Sequence, residues 1–315
     1  MATDTQTGPG THGYSDGLRG RVAKAANEHV VLTMMAPALL VILAIFIYPV
    51  TYMVYQSFFL AVPGVPLRFV GLDNYVEMLG SSSFWSYFGH TMFYSFGSLF
   101  LTVTGGLTIA LAINHVQREY LRNTYSTVLM FSWAIPLAVA ALIWNWILQG
   151  GEFGLLNMVL TDLGVLDTGY AWLADQTAAL VVVTMVDAWA RFPFAMIVFL
   201  AGLQSIPQHM YDAGDVDGAT TFQAFRNITL PYLRPYFAIV GLITWMFAFR
   251  AFAVIYPMTQ GGPGTATTTL SIYIYRQGMV NLQFGYASAV ATFLVGITVI
   301  VAAFYVTVVL ERIEE

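Results

Sequence analysis

The sequence predicts an all-α membrane protein, a bundle of six spanning helices, and three observations carry that prediction. The 315 residues are 58% hydrophobic and only 9% charged, with a mean hydropathy of +0.69; a soluble globule carries roughly 25% charged residues. Six apolar runs are each long enough to cross a bilayer, which takes about 20 helical residues. Lysine and arginine are distributed unevenly between the segments that join those runs.

The runs are Val31–Phe58, Thr91–Asn114, Thr124–Leu148, Ala178–Leu203, Tyr236–Met258 and Tyr286–Leu310. In hydrocarbon a span must satisfy its own backbone hydrogen bonds, so each is expected to be helical; the alternation of a membrane β-barrel is absent. Residues 1–30 are polar and glycine-rich, without the apolar core and cleavage site of a signal peptide, and are expected to be a disordered cytoplasmic tail. The membrane-embedded body is then 31–311, with a short tail at 312–315. No long internal repeat is visible.

With a cytoplasmic N-terminus, the inner segments hold Arg19, Arg21, Lys24, Arg118, Arg122, Arg226, Arg234 and Arg312. The outer loops hold only Arg68 and Arg276, while Arg191 and Arg250 fall inside runs. Positive charge favours the cytoplasmic side, so both termini and the segment 205–235 are expected there. The net charge of −5 offers no basic face, and nucleic acid is not an expected partner; lipid is.

Within 205–235, Tyr211 to Pro235 is a polar island holding Asp212, Asp215 and Asp217. Asp212-Ala213-Gly214 reads as the start of a short helix, because an acid suits the positive end of a helix dipole. Asp217-Gly218 reads as a turn. A second helix is expected over Thr220–Thr229, with Phe222, Phe225 and Leu230 on one stripe, ended by Pro231 and Pro235. The island is thus predicted to be a helix–turn–helix knob.

This island resembles the EAA loop of binding-protein-dependent ABC importer permeases, with a consensus close to EAAxxDGAx(8)IxLPxxxP. Asp212-Ala213-Gly214 stands at the triplet, Asp217-Gly218-Ala219 matches DGA, and Ile228, Leu230-Pro231 and Pro235 fit the tail. Asp212 replaces Glu and Gly214 replaces the second Ala, which bears on the strength of any ion pair at Asp212. Further elements follow in order and resemble the sugar-type branch: Phe69-Val70-Gly71-Leu72-Asp73-Asn74-Tyr75 with Phe84-Trp85; Gly154-Leu155-Leu156-Asn157 with Trp172-Leu173; Ala201-Gly202-Leu203-Gln204 with Ile206-Pro207; Gly261-Gly262-Pro263; and Phe284-Gly285-Tyr286-Ala287-Ser288-Ala289.

The resemblance implies a type I importer permease forming half of a pore with a second, similar permease subunit. It also implies cytoplasmic ATP-binding subunits and an extracytoplasmic solute-binding protein, with sugars as cargo and alternating access as mechanism. In that frame Asp212 would pair with the ATPase, Gly218 would make the turn, and Phe222 and Phe225 would dock or anchor the knob. The chain has no G-x-x-x-x-G-K-[ST], so ATP would be bound by the partner and no cofactor of its own is expected. Cysteine is absent, the five histidines (12, 29, 90, 115, 209) are scattered, no metal cluster or nucleophile–base pair is apparent, and no enzymatic activity is expected.

Charges inside spans are expensive and are functional candidates. Asp187 and Arg191 share a helix face at i,i+4 spacing, beside Trp189 and a break expected at Phe192-Pro193-Phe194. They are either a structural ion pair or a polar lining of the path, with Trp189 stacking on a sugar ring. Arg250 follows Phe249, with Trp245 and Tyr256 one or two turns away. It would either hydrogen-bond substrate hydroxyls or a phosphate, or pair with an acid of a partner subunit. Where maltose-type permeases carry sugar-binding Asn this chain has Ala248 and Ala251, and Ala253 replaces a common Asp, so those contacts do not carry over. Gly97, Gly105 and Gly106 read as helix-packing positions. A glycerol-3-phosphate or polyol permease, an ion-coupled secondary carrier using Asp187 and Arg191, and a non-transporting scaffold are the alternatives.

Overall fold

The computed structural model describes residue 30 and residues 34–310. The expected tails, with Arg19, Arg21, Lys24 and Arg312, lie outside the described residues, as do residues 31–33 of the first run. The described residues fall into two units, divided between Tyr55 and Gln56. In the first, α1 (Met34–Gln56) is one apolar helix that ends a residue beyond the boundary, with a π turn at Leu43–Ile47 and Tyr48 stacked on Tyr52.

The second unit opens with a short hairpin, β1 (Phe59–Leu60) antiparallel to β2 (Arg68–Phe69). Eleven helices follow: α2 (Asp73–Gly80), α3 (Ser82–Asn114), α4 (Glu119–Ala134), α5 (Leu137–Ile147), α6 (Leu155–Asp162), α7 (Gln176–Gln204), α8 (Gln208–Val216), α9 (Thr221–Tyr232), α10 (Arg234–Phe249), α11 (Ile255–Thr259) and α12 (Leu270–Tyr275). The last, α13 (Phe284–Phe304), continues as a π turn over Tyr305–Leu310. Among the described residues four helices are long and apolar enough to cross a membrane, and six spans result if two bent pairs each count as one.

Three runs depart from their expected outlines. The second helix starts nine residues before the expected Thr91, because Ser81 caps it, its side chain accepting from the Phe84 N–H at 3.3 Å. The third run is two helices, α4 and α5, meeting at 93°. Pro136 has no N–H to donate and its ring forces the preceding Ile135 into an extended conformation. The fifth run is also divided: α10 stops at Phe249 and α11 begins at Ile255. A continuous helix would drive the Pro257 ring into the carbonyl of Ala253, whereas in the first turn of a new helix the proline is tolerated. The expected break at Pro193 does not occur, and α7 runs through it; membrane helices tolerate proline when neighbours cover the freed carbonyl.

The longest packed interface joins α3 and α7, which run parallel. A Cβ on Gly97 would meet Thr184 Cγ2 at 3.0 Å, and one on Gly106 would meet Ala195 Cβ at 2.5 Å, so both glycines are close-approach positions. Gly105 is less tightly placed, since a Cβ there would lie 3.9 Å from Phe192 Cβ. Three buried clusters surround this pair: around Val183, Val186 and Ile255; around Met196, Phe199 and Val240; and around Phe84, Trp245 and Phe249. The outer faces remain apolar, with Phe93, Phe96 and Phe100 of α3 exposed, as suits a helix whose solvent is lipid.

The segments read as loops are clasped by their own polar residues. Asn74 donates to Ser57 O at 2.7 Å and Phe59 O at 3.1 Å, pinning the hairpin to α2. Buried Asn157 donates to three carbonyls, and its Oδ1 accepts from Trp172 Nε1 at 2.7 Å. At the Gly-Gly-Pro turn the Gly262–Pro263 bond is cis, and Arg276 Nη2 donates to Gln260 O at 2.8 Å. The Phe284 N–H bonds Ala61 O at 2.9 Å. These short elements hold one end of the bundle together.

Candidate functional site

Two features bear on the candidate residues: the knob at one end of the bundle, which holds the coupling candidates, and a cavity between α7 and α10, which Arg191 lines. The knob is α8 and α9, and it directly joins those two helices. Pro207 opens α8 without a side-chain cap. Asp212 therefore sits in the second turn rather than at the helix start, exposed and accepting from Gln208 Nε2 at 3.2 Å. The expected turn is present. Gly218 has φ +73, and its N–H bonds Asp215 O while the Ala219 N–H bonds Gly214 O at 2.9 Å, a left-handed cap that suits glycine.

Thr220 and Gln223 then form a reciprocal capping box that starts α9. This helix differs from expectation in two ways. Its inward stripe is Ile228 and Thr229, while Phe222 is 70% exposed, Leu230 is on the exposed side and Phe225 is half-buried. It also passes through Pro231, aided by a π turn over Phe225–Thr229 that reroutes the hydrogen bonds ahead of the ring. The break comes at Leu233, where the chain bends by 64° into α10 with Pro235 in its first turn.

The knob is fastened to the bundle on its inner side. Tyr211 and Thr229 share a hydroxyl hydrogen bond of 2.9 Å, and Tyr211 and Ile228 pack on the Phe199 cluster. A Cβ on Gly214 would meet Ile228 Cδ1 at 3.2 Å, so the glycine at the triplet's third position lets the two helices approach. The outer side presents Asp212, Ala213, Asp215, Asp217 and two apolar side chains, Phe222 and Val216, the latter 89% exposed. Val216 carries no motif letter and is found only from the fold.

In the middle of α7, Asp187 is fully buried and its Oδ2 accepts from Arg191 Nε at 2.8 Å and from Ser98 Oγ of α3 at 2.5 Å. This is the one ion pair among the described residues. Among the described residues, Asp187 Oδ1 and the hydroxyl of Tyr94, buried beside this carboxylate, make no hydrogen bond of good geometry. The Arg191 guanidinium carbon lies 5.5 Å from the centre of the Phe247 ring, within cation–π range. Both face a cavity of about 270 Å³ lined by Trp133, Leu137, Arg191, Phe194, Ile243, Thr244 and Phe247.

Of the path residues read from the sequence, only Arg191 lines this cavity, with Asp187 behind it; Phe194, read as part of a break, lines it too. Trp189 is half-buried and lies edge-to-face against Trp144 at 5.4 Å. Trp245 and Phe249 stack at 4.7 Å inside the third cluster, on the other side of α10. Arg250 caps α10 as an exposed side chain and donates to Met246 O at 3.2 Å. Tyr256 packs with Phe252 and Tyr275. The lining residues Thr244 and Phe247 were missed, although helical spacing separates their stripe from that of Trp245 and Phe249.

Residues 103–314 match the model of the family described as binding-protein-dependent transport system inner membrane components. The chain belongs to this family. The sulfoquinovosyl glycerol transport system permease protein of Agrobacterium fabrum is 35% identical over 282 residues, covering 88% of this chain and 89% of that protein. The trehalose/maltose transport system permease protein of Thermococcus litoralis is 34% identical, covering 82% and 86%. A solved bacterial ABC transporter involved in the import of alginate superposes with a TM-score of 0.78 at 24% identity, over 90% of this chain and 96% of its counterpart. This inner membrane component therefore has the fold of a type I ABC importer permease.

Proposed function

We propose that this permease carries sugars, mono- or oligosaccharides, through half of a pore completed by a second permease subunit. ATP-binding subunits on the cytoplasmic side and an extracytoplasmic solute-binding protein complete the importer, and ATP is bound by those subunits alone. The permease relatives named for saccharides support the cargo class. The alternating-access mechanism rests on one observation: the knob is the covalent bridge between α7, which carries Arg191, and α10, which carries Thr244 and Phe247. A rigid-body shift of α8 and α9 acts on both walls of the cavity together.

The orientation supported by charge puts the knob in the cytoplasm, since Arg118, Arg122, Arg226 and Arg234 lie at its end of the bundle and Arg68 and Arg276 at the other. Asp212 then faces the ATP-binding subunit as an ion-pair partner, and Phe222 and Val216 seat in its surface. Arg250 lies off the cavity and acts on substrate entry or on the partner subunit.

The test is uptake of labelled maltose by cells expressing the importer operon with this chain deleted and restored. ATP-dependent uptake that resists an uncoupler supports the reading. Uptake driven by an ion gradient without ATP would replace it with an ion-coupled carrier.

A further inference from the structure

We infer that the cavity between α7 and α10 admits an uncharged polyhydroxylated ring and turns away its anionic counterpart, with Asp187 setting that preference. The inference rests on the sugar-carrying reading and narrows its substrate class.

Arg191 is the cation of the cavity wall, and it is already neutralised. Its Nε is held by Asp187 Oδ2 at 2.8 Å, and Asp187 is fully buried with Ser98 donating to the same oxygen. Among the described residues the two terminal amino groups of Arg191 have no partner, so four N–H donors remain. Their fork fits adjacent oxygens, such as two neighbouring ring hydroxyls. Thr244 lines the same cavity, and its buried hydroxyl has no hydrogen-bond partner among the described residues. The remaining wall is Leu137, Ile243, Phe247 and the stacked pair Trp133 and Phe194, 6.4 Å apart. Flat apolar walls with a few donors match the C–H faces and hydroxyl rim of one pyranose, and the volume lies just below the usual range of ligand sites, room for a single ring.

A carboxylate, sulfonate or phosphate would have to shed its water in this apolar setting. That requires an uncompensated cation close by. Here Asp187 offsets the charge of Arg191, so the wall holds no net positive charge for an incoming anion. Arg250, the exposed cation of α10, is outside the lining and does not restore the balance. A glycerol phosphate is disfavoured at this cavity on the same ground.

The experiment is equilibrium binding of labelled maltose, cellobiose and digalacturonate to the purified importer complex, for the wild type, Asp187→Asn and Thr244→Val. The wild type is expected to bind at least one neutral disaccharide tenfold or more tighter than digalacturonate. Asp187→Asn should shrink that ratio at least fivefold, because Arg191 is then uncompensated. Thr244→Val should weaken neutral binding several-fold without changing charge preference. Equal or tighter binding of digalacturonate by the wild type overturns the inference while leaving the sugar reading intact, and needs no variant to fold. An unchanged ratio in folded Asp187→Asn also overturns it. Binding of none of the three sugars removes the sugar reading of the cavity, and this inference falls with it.

Discussion

Arg191 Nε and Asp187 Oδ2 are 2.8 Å apart, one helical turn apart on α7, and the guanidinium they anchor lies over the Phe247 ring of α10. The pair compensates charge inside the bundle, and its guanidinium lines a cavity. Arg191→Met should strand a buried carboxylate and destabilise the protein by about 3–5 kcal/mol. Pairing it with Asp187→Asn should recover most of that loss. Thermal unfolding of the purified variants checks this; a double variant no more stable than Arg191→Met contradicts it.

Gly218 holds the knob's turn at φ +73. An L side chain in this region costs roughly 1–2 kcal/mol, although nothing crowds the position. Gly218→Ala should lower uptake severalfold and Gly218→Asp should abolish it, with membrane insertion unchanged. Uptake assays beside quantitation of the protein in membranes make the comparison.

Gly106 is crowded instead of strained. Gly106→Val would force α3 and α7 apart at Ala195, and overpacking of this kind costs typically about 1–3 kcal/mol. The yield of monodisperse protein should fall, whereas Gly80→Ala, with open space around it, should leave it unchanged.

Asp175 caps α7, accepting from the N–H groups of Ala178 at 2.7 Å and Thr177 at 2.9 Å. The Ala178 bond leads in holding its carboxyl below the usual range. A lowered carboxyl pKa contributes stability above the unfolded value of about 4, lost as pH falls through the folded value. Wild type should therefore exceed Asp175→Ala in thermal stability at neutral pH, and the gap should close in acid. Unfolding temperatures across that range test it.

The spans were legible because their period and length are set by the bilayer, and the turn at Asp217-Gly218 because only glycine reaches that backbone region cheaply. The bends at Pro136 and before Pro257 were not read, since hydropathy is blind to a missing amide. Asp212 was assigned to a helix start on its charge, but Pro207 had already begun α8. The cavity was half-legible. Arg191 stands out as a charge in a span, while Thr244, Phe247 and Trp133 are ordinary residues whose meeting depends on how α4, α7 and α10 pack.

The most direct test uses the absence of cysteine from the sequence. Phe222→Cys and Val216→Cys each introduce a single thiol on the outer side of the knob. In the assembled importer both should cross-link to an ATP-binding subunit, with an efficiency that changes between nucleotide-free and ATP-bound states. Modification of either thiol by a membrane-impermeant reagent applied outside intact cells, or cross-linking to no such subunit in a transport-competent complex, would contradict the account.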